Sequence, residues 1–339
     1  MGGKKNERAS SKDVAKLAGV SQSTVSRVFR QDTSVSVKAR AQVLEAAKEL
    51  EYQPSVIARS LMQRSTRIIG LINGRFGDDF YGQALGYFTS GLQAQGYSTL
   101  LLNLSGSDME DTLPIALRYQ VDGIIITTST LSSTLVESCK RLKTPAILFN
   151  RYTIGSSLSS VCLDNTRAGR DVANYLIGRG HRKLSYIAGD PSASTNKDRQ
   201  EGFITAIQAA GLAPFAIHPG EYSYECGERA AQDILASHER PDAVFCANDS
   251  IAAGFMETAR LDFGVRIPED ISVIGFNNAP FSAWKSFNIT TVEQPISRMV
   301  ETTIKVLMES IHSGSDESVI RMIPGNIVER GTVTTRTAE

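Results

Sequence analysis

The chain has 339 residues, 41% hydrophobic and 21% charged, and its 36 basic and 36 acidic residues give a net charge of zero. A single hydrophobic core does not usually extend over this length, so we expect two or three domains. The composition is that of an ordinary globular protein. The charge is lopsided, because residues 1–67 carry thirteen basic and six acidic residues, a net of +7, which leaves the remainder at −7. A basic N-terminal block on an acidic body indicates nucleic acid as the partner of that block.

Several classes of protein are disfavoured by what the sequence lacks. The four cysteines are far apart and show no C-x-x-C spacing, so we expect neither a disulfide framework nor a metal site, and no cofactor. The first eight residues contain no apolar stretch of a secretory signal, and no apolar run approaches membrane-spanning length. The sequence therefore favours a cytoplasmic protein with reduced thiols and no membrane partner.

Three short helices are predicted between residues 9 and 53, after a polar tail, 1–8, that we expect to be disordered. An apolar stripe at helical spacing, which includes Leu17, marks the first helix. Gly19 stands where a helix ends in a left-handed residue, and Ser21 can cap a second helix. Two helices joined by a tight turn are therefore predicted.

The outward face of the second helix carries short hydrogen-bonding side chains and one arginine: Gln22, Ser23, Ser26 and Arg27. Such a surface suits insertion into the major groove of DNA. The alternative is an ordinary pair of helices with a solvated face. Because the turn, the serine positions and the following helix all agree, we interpret this segment as a helix-turn-helix.

Ser36 can cap a third helix that runs to about Tyr52, with Val37 and Leu44 among its inward-facing apolar residues. Three short helices bury too little surface to be very stable alone. We therefore interpret residues 9–53 as a headpiece that is anchored to a larger body.

Residues 54–66 are interpreted as a hinge, since Pro54 ends the third helix. The segment P-S-V-I-A-R-S-L-M has a helical pattern but is too short to hold a helix alone in water. We expect it to fold against the same segment of a second subunit, with Leu61 wedged between base steps in the minor groove. A plain linker is the alternative, and the apolar content of the segment argues against it.

From Arg67 onwards, short apolar runs alternate with helical patterns. Strands that are apolar throughout, with helices between them, are typical of buried parallel sheets. Roughly ten strands exceed one sheet of five or six, so two doubly wound lobes are predicted. A late amphipathic helix from Ile296 can return to complete the first lobe. The predicted strands are 68–72, 99–104, 123–127, 146–149, 161–163, 184–188, 243–247, 272–276 and 327–333, and well-marked helices are 81–95, 166–179, 199–210 and 249–261.

Two other kinds of protein share such a body. An enzyme is one, but the sequence has no Walker lysine loop, no G-x-G-x-x-G after a strand and no G-x-S-x-G. The four histidines, His181 among them, are interpreted as surface residues. A transport-type solute-binding protein would need a secretory signal and would have no use for a basic headpiece. We therefore predict that the protein is not an enzyme.

Motifs along the whole chain resemble the LacI-type family of bacterial transcriptional repressors. They are D-V-A-K-L-A-G-V-S-Q-S-T-V-S-R (13–27), P-S-V-I-A-R-S-L, C-A-N-D-S-I-A-A-G (246–254), I-P-E-D-I-S-V-I-G-F (267–276) and T-T-V-E-Q-P (290–295). The resemblance implies an all-α helix-turn-helix headpiece and an α/β body of two doubly wound parallel-sheet lobes, as in periplasmic binding proteins. It also implies a homodimer, sometimes a tetramer, whose DNA affinity is controlled by a small-molecule effector.

The resemblance further implies how the body, 67–339, is divided. The first lobe would comprise about 67–164 and 296–322, and the second about 165–294 and 326–339. Three crossovers would fall near Asp164–Thr166, Gln294–Ile296 and Met322–Asn326.

Contacts with DNA also follow from the resemblance. Gln22 and Ser23 would meet base edges, with Arg27 one turn later, while Arg30 departs from the asparagine of many relatives. A two-fold dimer would read a near-palindromic operator in double-stranded DNA. The implied set is Ser21, Gln22, Ser23, Thr24, Ser26, Arg27, Arg30, Ala58, Arg59 and Leu61.

The effector is placed between the lobes, at the carboxyl ends of the strands, and the resemblance implies a sugar or sugar derivative. Phe80 and Tyr81 would pack on a sugar ring, although one of them can instead be a core residue, and Asp249 can instead cap its helix. Asn150 and Asn277 stand where many members of the family have aspartate. The loss of these two carboxylates favours a sugar acid or phosphorylated sugar as the effector. The implied set is Asp78, Phe80, Tyr81, Asn150, Arg151, Arg199, Tyr222, Asp249, Asn277 and Gln294.

Overall fold

The computed structural model describes residues 9–29, 34–52, 65–74, 79–103, 109–127, 139, 141, 143–153, 155–313 and 317–336. The chain divides into two compact units, Met1–Thr66 and Arg67–Glu339. The first unit contains helices α1 (Ser11–Leu17), α2 (Gln22–Phe29) and α3 (Val37–Glu49).

The ends of these helices are set by local hydrogen bonds. Gly19 takes the left-handed conformation (φ 64°) between α1 and α2, which costs glycine no steric strain. The backbone N–H of Thr24 donates to Ser21 Oγ at 3.2 Å, and that of Ala39 donates to Ser36 Oγ at 3.3 Å. The predicted turn and caps are therefore confirmed.

The core of the first unit is small. Val14, Val25, Val28, Val43 and neighbouring alanines are buried. The three-helix core needs few side chains, so several apolar residues predicted to face inward do not. They are Leu17 (47% exposed), Leu44 (50%) and Val37 (87%), the last of these at the first position of α3.

The body holds two six-stranded sheets. The strands are β1 (Ile68–Asn73), β2 (Ser98–Asn103), β3 (Gly123–Ile126), β4 (Ala146–Phe149), β5 (Ser159–Leu163), β6 (Leu184–Ile187), β7 (Ala216–His218), β8 (Ala243–Cys246), β9 (Ser272–Asn277), β10 (Thr290–Glu293), β11 (Ile320–Ile323) and β12 (Asn326–Val328). The first sheet has the order β11-β5-β4-β3-β1-β2 and is parallel throughout. The second has the order β12-β10-β9-β8-β6-β7 and is parallel except for the β10–β12 pair. Most strands are apolar along their whole length because helices cover both faces. The predicted pair of doubly wound lobes is confirmed.

The helices of the body pack against these sheets. The last helix follows β10 of the second sheet but packs on β4 and β5 of the first. The chain passes between the two sheets three times, after β5, after β10 and after β11. The helices are α4 (Asp79–Ala94), α5 (Met109–Arg118), α6 (Asn165–Gly178), α7 (Ser194–Ala209), α8 (Tyr224–Leu235), α9 (Asp249–Leu261) and α10 (Ile296–Ser313). None of the described helices is both long and apolar enough to cross a membrane.

Three strands were not predicted, and one was predicted too long. The missed strands β7, β10 and β11 are short or polar, and the predicted strand 327–333 is reduced to β12. The segment after β12 still lies along the second sheet, where Val273 N–H donates to the Thr332 carbonyl at 2.8 Å.

The interpretation of His181 as a surface residue is wrong. Its side chain is completely buried, and its Nε2 donates to the carbonyl oxygen of Thr334 at 3.0 Å. The imidazole therefore fastens the C-terminal segment to the second lobe, which no local pattern around position 181 could indicate.

Candidate functional site

The second helix of the headpiece presents one face to solvent. Gln22, Ser23 and Arg27 are exposed on α2, whereas Val25 and Val28 are buried against the other helices. The exposed face offers amide, hydroxyl and guanidinium groups, which are the groups that pair with base edges and phosphates. The structure thus leaves these three predicted side chains open to a partner.

Hydrogen bonds preorganise the start of this helix. The hydroxyl of Ser21 lies 2.7 Å from that of Ser23 and 2.9 Å from that of Thr24. Gln22 Nε2 donates to Ser11 Oγ at 2.8 Å. These contacts favour one arrangement of the side chains before any ligand arrives, which lowers the entropy cost of binding.

Part of the predicted set cannot be placed. Ser26 is described and half-buried. The predicted residues Arg30, Ala58, Arg59, Leu61 and Asp78 lie outside the described part of the chain.

A cleft in the body gathers most of the residues predicted to bind an effector. The space between its walls, with the open mouth included, is about 660 Å³. The predicted residues on its wall are Phe80, Tyr81, Asn150, Arg151, Arg199, Tyr222, Asn277 and Gln294.

The aromatic side chains of this wall have different roles. Phe80 is 3% exposed and stacks on Phe149 with ring centroids 5.9 Å apart, so it belongs largely to the core of the first lobe. Tyr81 is half-buried and meets Phe80 edge-on at 5.2 Å. Tyr222 lies over Gly189, where an added Cβ would come within 2.3 Å of its ring. The glycine therefore makes room for the tyrosine on the cleft wall.

Arg151 projects from the end of β4 into the cleft. Its Nη2 donates to the hydroxyl of Tyr81 at 3.0 Å and to the carbonyl oxygen of Thr127 at 3.2 Å. Its Nε is buried without a hydrogen-bond partner, and the guanidinium makes no ion pair with any carboxylate in the described ranges.

Arg199 comes from α7 of the second lobe and is 3% exposed. The guanidinium lies 3.3 Å from the centroid of the Phe276 ring, donates to Asn165 Oδ1 at 2.7 Å and donates to the Ala247 carbonyl oxygen. Its Nε also lacks a partner, and no described carboxylate pairs with it. Two guanidinium groups thus face one cleft without counter-ions among the described side chains.

Amide side chains supply acceptors at the same place. Gln294 Nε2 donates to Asn277 Oδ1 at 2.6 Å, while Gln294 Oε1 and Asn150 Oδ1 are buried without partners. Both asparagines follow strands and have positive φ, 57° for Asn150 and 110° for Asn277. Buried polar atoms are normally paired, so these two donors and two acceptors leave hydrogen-bonding capacity beside the cleft that a polar ligand or water can use.

Five further residues line the cleft and were not predicted from the sequence: Gly74, Thr127, Asp190, Ala193 and Thr195. Thr127 directly follows β3, and Asp190 lies in the loop after β6. Applying the strand-end rule to every strand, rather than to selected motifs, would have found Gly74, Thr127 and Asp190, whereas Ala193 and Thr195 lie at the start of α7.

Asp249 does not line the cleft. The side chain is completely buried, and its oxygens accept hydrogen bonds from the hydroxyl of Thr291 at 2.6 Å and from the backbone N–H of Ala279 at 2.7 Å. Nor does it cap its helix with its side chain, because Asn248 does so by accepting from Ile251 N–H at 2.9 Å. Asp249 instead supports the backbone that follows β9.

We expect the Asp249 carboxyl to make stability depend on pH. Burial raises the pKa of this group to about 7 from an ordinary value of 3.8. At a pH between these two pKa values, the Asp249 carboxyl is protonated in the folded protein and ionised in the unfolded chain. The contribution to stability is therefore complete below about pH 4 and is lost as the pH rises through about 7.

Urea unfolding at pH 5, 6, 7 and 8 measures this effect, and Asp249→Asn should flatten the wild-type slope. Asp270→Asn is the control, because hydrogen bonds from Arg266 lower the pKa of Asp270 to about 2 and its titration lies outside that range. An equal slope in wild type and Asp249→Asn would contradict the prediction.

A basic three-helix unit with an open helix face, joined to a two-lobed body with a polar cleft, defines a ligand-responsive DNA-binding regulator. Comparisons with known proteins agree. Residues 11–55 match the family described as "Bacterial regulatory proteins, lacI family", and residues 173–333 match the "Periplasmic binding protein-like domain". The "HTH-type transcriptional repressor PurR" of Vibrio atlanticus (strain LGP32) is 34% identical over 333 residues, which cover 96% of this chain and 99% of that protein. The chain belongs to the LacI family of bacterial regulatory proteins.

Solved structures show the same fold. A lac repressor dimer bound to operator and the anti-inducer ONPF has a TM-score of 0.87 at 24% identity, covering 97% of this chain and all of that one. The complex of the transcriptional regulator CelR with cellobiose has a TM-score of 0.73 at 28% identity, covering 96% of this chain and all of that one. The family match and the PurR relative confirm the resemblance of the sequence motifs to the LacI family, and these structures confirm the fold.

Proposed function

We propose that this protein represses transcription by binding a near-palindromic operator as a homodimer, and that a small anionic sugar derivative in the cleft controls that binding. The PurR relatives are named transcriptional repressors, and the lac repressor neighbour is a dimer on its operator. In this proposal the headpiece, 9–53, and the hinge, 54–66, would contact DNA, and the body, 67–339, would bind the effector. The protein would act on DNA in the cytoplasm.

The headpiece would read the operator through α2. Gln22, Ser23 and Arg27 are exposed on one face of that helix, which supports contact with base edges. Ser21, Thr24 and Ser26 would serve phosphates and orient the helix. The hinge residues would add minor-groove contacts when two subunits meet.

The observation that carries the choice of ligand is the pair of cleft arginines without counter-ions. Arg151 and Arg199 come from different lobes, and each leaves Nε unpaired. Asp190 is the one described carboxylate on the wall, and it accepts from the Ser192 N–H and hydroxyl at 2.8 and 2.6 Å. A carboxylate or phosphate on the ligand would satisfy both guanidinium groups by charge-assisted hydrogen bonds.

A neutral sugar is the second candidate. The amides of Asn150, Asn277 and Gln294 and the rings of Tyr81 and Tyr222 suit hydroxyl groups and the apolar face of a pyranose. The CelR neighbour was solved with cellobiose. In this case the arginines would bind vicinal hydroxyls rather than an anionic group.

Thermal unfolding in the presence of matched sugars separates the candidates. Glucose, glucuronate and glucose 6-phosphate form one set, galactose and galacturonate a second, and ribose and ribose 5-phosphate a third. We expect an acidic member to raise the melting temperature more than its neutral partner. Stabilisation by neutral sugars alone would overturn the anionic ligand and leave the repressor assignment intact.

Arg151→Gln is expected to weaken binding of the acidic ligand by about 2 kcal/mol, roughly thirtyfold, while changing binding of the neutral partner much less. The loss follows from removal of a cation that has no other carboxylate partner among the described residues. Isothermal titration measures both affinities. Arg118→Gln, an exposed arginine on α5 of the same lobe, is the matched control.

A further inference from the structure

Tyr152 and Asp198 form a hydrogen bond between the two lobes at the edge of the cleft. Tyr152 follows β4 of the first sheet, and Asp198 lies on α7, which packs against the second sheet. The Tyr152 hydroxyl donates to Asp198 Oδ1 at 2.9 Å, and the Tyr152 backbone N–H donates to Ser194 Oγ at 3.4 Å. One residue of the first lobe thus makes two contacts with one helix of the second.

Each member of this pair is the chain neighbour of a cleft arginine. Arg151 precedes Tyr152, and Arg199 follows Asp198. The position of the pair therefore bears directly on the distance between the two guanidinium groups. No sequence motif singled out Tyr152 or Asp198.

The surroundings strengthen the hydrogen bond. Both side chains are half-buried, so water competes less for the phenol and the carboxylate than it does at the surface. Burial, together with the hydrogen bond to Asp198, raises the pKa of Tyr152 to about 12, which keeps the phenol protonated as the donor. Burial also raises the pKa of Asp198.

We infer that the Tyr152–Asp198 hydrogen bond is an inter-lobe tie that positions Arg151 relative to Arg199 and sets the equilibrium between lobe arrangements on which the effector acts. The three chain crossovers survive any rotation of the lobes, whereas this bond exists only when its two residues are close. It therefore stabilises one arrangement over others, which is the condition for shifting a population. The link to the effector rests on the proposed function.

The distance between the lobes is the direct test. Gln95, directly after α4, and Gln208 on α7 are exposed, and all four native cysteines are buried. Gln95→Cys and Gln208→Cys can therefore carry a donor and an acceptor dye for single-molecule energy transfer in the full chain. Labelled protein diluted into an excess of unlabelled protein reports distances within one subunit.

We expect Tyr152→Phe and Asp198→Asn each to raise the population of a second lobe distance about tenfold, the effect of losing one hydrogen bond to a charged group. The double variant should add little to either single one, because both remove the same bond. Tyr224→Phe is the matched control, since the Tyr224 hydroxyl donates to Glu257 at 2.6 Å between two helices of the second lobe. It should leave the lobe distance unchanged.

A second measurement separates this inference from the proposed function. Affinity for an operator selected from random DNA should change in the same sense in both single variants. Unchanged lobe distances, or additive effects in the double variant, would overturn the tie whatever happens on DNA. If the lobe distances change as expected but the wild-type protein binds no DNA, the inter-lobe tie stands and the proposed repressor function is wrong.

Discussion

Replacing Gly169 by alanine is expected to lower the free energy of unfolding by about 3 kcal/mol, the upper range for overpacking a tight contact. Gly169 lies on α6 where that helix crosses α7, and a Cβ there would come within 2.1 Å of the carbonyl oxygen of Arg199. The obstacle is backbone, so no rotamer change can relieve it. The two helices would have to separate.

The same replacement should disturb the cleft. Arg199 is the residue whose carbonyl the new methyl group would meet, and its guanidinium lines the cleft. Pushing α7 away from α6 would therefore also loosen the contacts of Arg199 with Asn165 and Phe276. We expect ligand-induced stabilisation to fall together with the free energy of unfolding.

Gly178→Ala provides a control on the same helix. An added Cβ at Gly178 meets nothing within 4 Å, and alanine favours helix, so this change should stabilise the body by up to about 1 kcal/mol. Urea unfolding followed by circular dichroism measures both variants. Equal stability of Gly169→Ala and Gly178→Ala would show that α6 and α7 do not pack as closely as described.

The elements that could be predicted from sequence are those whose signal is local. Strands such as β3 and β8 are buried on both faces, so their uninterrupted apolar runs identify them. The caps of α2 and α3 are also local, since Ser21 and Ser36 bond to residues three positions ahead. Two parallel sheets, and a cleft at the carboxyl ends of their strands, follow from this pattern.

The remaining features depend on partners far away in sequence. Strand β10 has two threonines and a glutamate, yet Thr290 and Thr291 are completely buried. Their hydroxyls bond to Arg330 N–H and to Asp249, about forty residues away in either direction. The hydrogen bond from Thr291 also explains why the Asp249 side chain points away from the cleft. The Tyr152–Asp198 bond is likewise visible only once both lobes have folded.

The role of α2 in reading DNA leads to a large expected effect at Arg27. Arg27→Ala should weaken binding to the selected operator by about 1–3 kcal/mol at each half-site, the usual value of a bidentate arginine–guanine contact. A dimer on a palindrome contains two such sites, so the total loss would reach about 2–6 kcal/mol. Binding to random DNA should fall far less, because only one charge per subunit is removed.

Lys16→Ala removes the same charge from the exposed end of α1 and serves as the matched control. Both variants should reduce the salt dependence of binding to random DNA similarly, since that term counts neutralised phosphates. Only Arg27→Ala should reduce the ratio of operator to random affinity, measured by fluorescence anisotropy at several salt concentrations. Equal losses on both kinds of DNA would make Arg27 a phosphate contact and would shift sequence reading to Gln22 and Ser23, whose exposed side chains lie one turn earlier on the same face.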